Sequence, residues 1–124
     1  MMALLFVTLG GAVGAASRYL ASGWVQSWSG SFFPLGTLAV NVVGSLIIGF
    51  VWELTTDRFL VSPEWRLLLT TGFCGGLTTF STFSHETLAL LHDAQWALAA
   101  GNVLLNVLLC LAATFLGLSA AKLL

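Results

Sequence analysis

A chain of 124 residues that is 58% hydrophobic and only 7% charged cannot coat a water-soluble globule, which would carry about a quarter charged residues. The net charge of −1 at pH 7 and the isoelectric point near 6.0 leave no basic surface for nucleic acid. Apolar runs recur from one end to the other at a mean hydropathy of +0.98, so the expectation is a bilayer protein rather than a cleaved leader ahead of a polar domain.

A membrane-crossing helix needs about 20 mostly apolar residues, and four segments qualify. The first is expected from Ala3 to Gln26, before the polar SWSGS, and the second from Pro34 to Glu53, with Pro34 suited to a first helical turn. A charged connector, TTDRFLVSPEWR, follows; its Ser62-Pro63-Glu64 reads as N-cap, N1 and first-turn acid. The third runs from Pro63 to Leu91 and the fourth from Ala94 to Leu123, capped by Asp93. The expected fold is therefore an all-α integral membrane domain of four transmembrane helices spanning residues 1–124.

The third segment is too long for a simple crossing, at roughly 42 Å of helix against a hydrocarbon core of about 30 Å. Its centre, GFCGGLTTFSTF (Gly72 to Phe83), is where an interruption is expected. Gly72, Gly75 and Gly76 favour a break and Thr78-Thr79 can cap a restarted helix, although small residues also serve close helix packing in membranes. A break leaves carbonyls unpaired upstream, over Gly75 to Thr78, and N–H groups unpaired downstream. The first attract a cation and the second an anion.

Basic residues give little orientation signal. Arg58, Arg66 and Lys122 fall on one side and a partly embedded Arg18 on the other, a bias weak enough for insertion either way round. Polar residues fall in rows four apart: Thr37, Asn41, Ser45 and Gly49 in the second helix, and Asn102, Asn106, Cys110 and Thr114 in the fourth. The first helix repeats the interval with Gly10, Gly14 and Arg18. Such rows avoid lipid, and they suit either interhelical hydrogen bonding or a path for water and ions. The rows offer neutral donors, to which Phe80 and Phe83 add electropositive ring edges, a combination suited to a small anion. Glu86 and His85 lie past the centre of the third helix, so Glu86 is expected near a vestibule. Cys74 and Cys110 lack CxxC spacing and a nearby His, which points to packing rather than zinc or a disulfide.

GFCGGLTTFSTF, with GTLAVNVVGS (Gly36 to Ser45) and GGAVGAASRY (Gly10 to Tyr19), closely resembles the CrcB/Fluc fluoride channels over essentially the whole chain. The resemblance implies an antiparallel, dual-topology homodimer in the bacterial inner (plasma) membrane. Two passive fluoride pathways would flank a structural Na+ held at the subunit interface by the backbone carbonyls of Gly75 and Thr78. It implies Phe80 and Phe83 as pore phenylalanines, Asn41 as the pore amide, and Ser81 and Thr82 as hydroxyls beside them. Arg18 and Glu86 would stand at the vestibules. The chain departs from family members that carry a fourth-helix tyrosine, since its only tyrosine is Tyr19. The fourth-helix contribution must come from the row that includes Asn106 and Thr114. A small four-helix proton-coupled multidrug exporter is the rival reading, but it needs a carboxylate in the first helix, and none is there. A non-transporting scaffold subunit would leave the polar rows unexplained.

Overall fold

The structure is a computed structural model that describes residues 1–56 and 60–124. Arg58, counted above in the charge balance, lies outside the described residues. Three long apolar helices, α1 (Met2–Ser29), α2 (Leu35–Thr56) and α6 (Trp96–Lys122), are each long enough to cross a bilayer. Between α2 and α6 the chain is helical in pieces. α3 (Pro63–Leu67) continues into a π-helical segment (Leu68–Cys74) and a short α4 (Gly75–Leu77), and α5 (Phe80–His92) follows after a break. The described residues are helices joined by turns, as in a multi-pass membrane protein.

Local chemistry explains most boundaries. Gly30 closes α1 in the left-handed conformation at φ 58°, ψ 16°, which glycine adopts without penalty. Gln26, three residues inside that end, fastens the turn: its Nε2 donates to the carbonyls of Ser31 (2.8 Å) and Phe33 (3.1 Å), and its Oε1 accepts from the Gly36 N–H. Pro63 sits in the first turn of α3 with Glu64 beside it, though Ser62 makes no side-chain cap bond. The expected Asp93 cap for the last helix is not formed. Asp93 instead ends α5, its N–H donating to the Ala89 carbonyl, and Ala94 turns left-handed at φ 58° before Gln95 precedes α6.

Two glycine seams bring the helices together. α2 lies along α6 over the broadest contact. There a Cβ on Gly49 would strike the Thr114 carbonyl, and one on Gly117 the Leu46 carbonyl. α1 packs on the π-helical segment and α4. A Cβ on Gly72 or Gly76 would run into α1 backbone at Val7, Gly10, Gly11 and Ala15, and one on Gly10 or Gly14 would run into the third span. With no hydrophobic drive between helices in lipid, such backbone approach supplies the van der Waals contact that holds them.

This corrects the role expected of the central glycines. Gly75 is helical at φ −62°, ψ −36°, and the chain leaves helical geometry only at Thr78 (φ −87°, ψ 155°) and Thr79 (φ −150°, ψ 114°). Gly72 and Gly76 are contact residues; the break belongs to the threonines. The π-helical turn upstream, in which the Gly75 N–H also reaches the Thr70 carbonyl, left no signal that was read in the sequence.

All five tryptophans are exposed and lie towards helix ends. Trp24, Trp28 and Trp96 fall at one face of the bundle, and Trp52 and Trp65 at the other. They match the aromatic belts of a protein seated between two membrane–water interfaces.

Candidate functional site

The site is built around the break. Helical bonding persists as far as Thr78, whose N–H and hydroxyl both donate to the Cys74 carbonyl, at 3.0 and 2.9 Å. Thr79 then turns away, and its N–H donates to Asn41 Oδ1 on α2 at 2.7 Å. Asn41 Nδ2 returns a bond of 3.3 Å to the Thr79 carbonyl. The Thr79 hydroxyl caps α5, accepting from the Thr82 N–H at 3.1 Å while donating to Thr82 Oγ1 at 3.0 Å, with Ser81 Oγ 3.3 Å away.

These diversions have an electrostatic consequence. In a continuous helix the Gly75 carbonyl would accept from the Thr79 N–H and the Thr78 carbonyl from the Thr82 N–H. Asn41 takes the first donor and Thr79 Oγ1 the second. Both carbonyls are left with lone pairs to offer, and Gly75 is exposed on the face where this happens. Among the described residues no three His, Cys, Asp or Glu side chains gather to hold a metal.

Alongside the break lies an open cavity of about 760 Å³, lined by Asn41, Gly75, Thr78, Phe80, Phe83 and Asn106 among mostly apolar neighbours. The two phenylalanine rings stand 5.3 Å apart with planes tilted by 56°. They share the groove but not its environment: Phe83 is 8% exposed and Phe80 is 79% exposed. Thr79 is a common wall between this groove and a second cavity of about 210 Å³, lined by Arg18, Thr37 and Thr82. Thr37 leads onwards, its hydroxyl donating to Glu86 Oε1 at 2.8 Å. Glu86 lines a third cavity of about 340 Å³ near Asp93, at the end of α5. Polar groups thus run from the helix end at Asp93 through Glu86 and Thr37 to Thr79 and the groove. Along that line, Arg18 Nε and Glu86 Oε2 are buried atoms with no hydrogen-bond partner among the described residues.

The structure therefore gathers Asn41, Phe80, Phe83, Thr82, Gly75 and Thr78 around one break, with Arg18 and Glu86 on the polar line leading from it. Ser81 is exposed, beside Thr79. Asn106 reaches the groove, but its Nδ2 points away from it, donating to the carbonyl and Oδ1 of Asn102. Thr114 stands apart: its hydroxyl bonds back to the Cys110 carbonyl at 3.0 Å, and its own carbonyl meets Gly49. Thr37 and Asn102 were legible only as members of polar rows. Thr87, which accepts from Asn102 Nδ2 at 2.9 Å, was not singled out; its spacing of four from Phe83 was the available signal.

Comparison with known proteins places the chain in a family. Residues 5–118 match the CrcB-like protein, Camphor Resistance (CrcB) family. A protein of Geobacter metallireducens named fluoride-specific ion channel FluC is 50% identical over 122 residues, covering 98% of each chain. One of the same name from Geobacter sulfurreducens is 49% identical over 98% of each chain. Another, from Pyrococcus abyssi, is 48% identical over 118 residues, 95% of this chain and 94% of its own. With the match running from the first helix nearly to the end of the last, through the break and its threonines, the chain belongs to the CrcB family.

Proposed function

We propose that this protein is a passive, fluoride-selective ion channel that lets cytoplasmic fluoride leave across the plasma membrane. The observation that carries the reading is the break at Thr78–Thr79 opening into the groove that also holds Asn41, Phe80 and Phe83. A dehydrated fluoride ion needs donors to replace its water, yet must not be held so tightly that it cannot leave. Among the described residues the groove is lined by neutral donors and ring edges and by no Lys or Arg. The 3.3 Å bond from Asn41 Nδ2 to the Thr79 carbonyl is the longer of its two and the one an arriving anion displaces more readily. The Phe80 and Phe83 edges add contacts worth about 1 kcal/mol each by analogy with aromatic pairs. Thr82 and the exposed Ser81 offer hydroxyls where the ion passes the first turn of α5. Arg18 and Glu86, with opposite charges, stand at the approaches. The direction of flow follows from weak-acid chemistry: neutral HF enters, ionises in a less acidic cytoplasm, and the anion leaves down a negative-inside potential.

The working unit in this reading is an antiparallel, dual-topology homodimer with two pathways. The groove is open along one side, and the weak charge bias suits insertion in both orientations. Gly75 and Thr78 of each subunit would hold a structural Na+ through their carbonyls, the groups whose helical donors are diverted. When bound, that ion supplies a fixed positive charge between the subunits.

The test is fluoride efflux from liposomes carrying purified protein, compared with chloride and with protein-free vesicles. Fluoride efflux well above both, without dependence on a proton gradient, is the expected result. Efflux equal to protein-free vesicles overturns the channel, and proton-dependent transport of organic cations would favour the exporter.

A further inference from the structure

The polar contacts among α2, α5 and α6 form one directed chain, and a single backbone group sets its direction. The Thr79 N–H can only donate, so Asn41 must turn Oδ1 towards it, at 2.7 Å. Asn41 Nδ2 then faces the Thr79 carbonyl and, at 3.0 Å, Asn106 Oδ1. With its oxygen committed, Asn106 turns Nδ2 to the carbonyl and Oδ1 of Asn102, both at 2.9 Å. Asn102 is left with its own Nδ2 to give, and it donates to Thr87 Oγ1 at 2.9 Å. The Thr87 hydroxyl ends the chain at the Phe83 carbonyl, at 2.8 Å. The relay begins on Thr79 and ends on Phe83, so it ties both ends of the α5 turn that carries Phe80.

We propose that Asn102 is a positioning residue for conduction, fixing the amide of Asn41 through Asn106, with Thr87 as its anchor; this rests on the groove being the anion path. Asn102 is 0% exposed, so it touches no ion in the groove. Its effect passes through orientation. Without Asn102 Oδ1, Asn106 Nδ2 keeps only the Asn102 carbonyl, one acceptor instead of two to hold it away from α2. An inverted Asn106 sets donor against donor at Asn41. If Asn41 follows by inverting, its oxygen leaves the Thr79 N–H and faces the anion. Linked amides of this kind respond as a unit, so their effects do not add.

The experiment uses the full chain in liposomes. Asn102→Ala lowers fluoride efflux about tenfold and Thr87→Val about threefold, whereas Thr87→Ser, which keeps the hydroxyl, stays at the wild-type rate. In an Asn41→Ser background the Asn102→Ala change shrinks to less than about twofold. A second readout is independent of any ion: the side-chain 15N signal of Asn41 in solid-state NMR moves in Asn102→Ala and Thr87→Val and not in Thr87→Ser. Equal fold losses in both backgrounds overturn the relay, and so does an unmoved Asn41 signal beside a conducting wild type. A wild type that passes no fluoride overturns instead the anion-path reading, and the conduction role with it.

Discussion

The α2–α6 seam and the third span carry the same kind of glycine and end up with different backbones. Along the seam, Gly49 and Gly117 let the backbones meet, and both helices run uninterrupted for 22 and 27 residues. In the third span Gly72 and Gly76 make the same kind of contact with α1, yet the helix breaks two residues later. Glycine is common to both places, so glycine does not account for the break. What differs is Asn41, which takes the N–H that a continuous helix would have given to Gly75. A buried N–H in lipid must have a partner, and the break exists where a neighbouring helix supplies one.

The sharpest way to press that comparison is at Asn41. Asn41→Asp keeps an acceptor for Thr79 but removes the donor and places a negative charge in the groove. Fluoride efflux from liposomes should fall more than about a hundredfold, roughly 2.7 kcal/mol on the barrier, while the protein keeps the wild-type elution volume on size exclusion. Near-normal flux would remove Asn41 from the path.

Next come the glycines themselves. Gly76→Ala and Gly117→Ala each drive a Cβ into backbone that cannot swing aside. Both should destabilise by about 1–3 kcal/mol, as overpacking does. Thermal unfolding in detergent reads this, and similar losses at the two positions would show that they share a packing role. A harmless Gly76→Ala would restore the idea that this glycine serves the break.

Phe80→Ile and Phe83→Ile test the groove beside the break. Each should cut fluoride flux more than about tenfold, near 1.4 kcal/mol on the barrier, with the wild-type elution volume retained on size exclusion. Wild-type flux in both would reduce the rings to packing. The smallest effect is expected at Gly75→Ala, where a Cβ meets only the Thr70 carbonyl at 4.0 Å. Helix content by circular dichroism should be unchanged, because the diverted Thr79 N–H is untouched. A gain in helicity would show that Gly75 did open the helix after all.

Composition and periodicity alone determined a great deal here. With 7% charged residues the chain had to be a membrane protein, and the apolar run lengths placed its four helical stretches close to where they lie, three of them long and apolar enough to cross a bilayer. Spacing by four put Thr37 and Asn41 on one face of α2 and Asn102 and Asn106 on one face of α6, because that interval is fixed by the helix itself. Three things needed the tertiary structure. The break sits at Thr78–Thr79 rather than at the glycines, because its partner, Asn41, is 38 residues away. The Thr37–Glu86 bond spans 49 residues, and the Asn41–Asn106 bond 65. The expected Thr114 turned its hydroxyl back onto its own helix, an option open to any membrane-helix threonine. A sequence states which polar groups must find partners in a medium without water; only the packing of helices decides which partners they find.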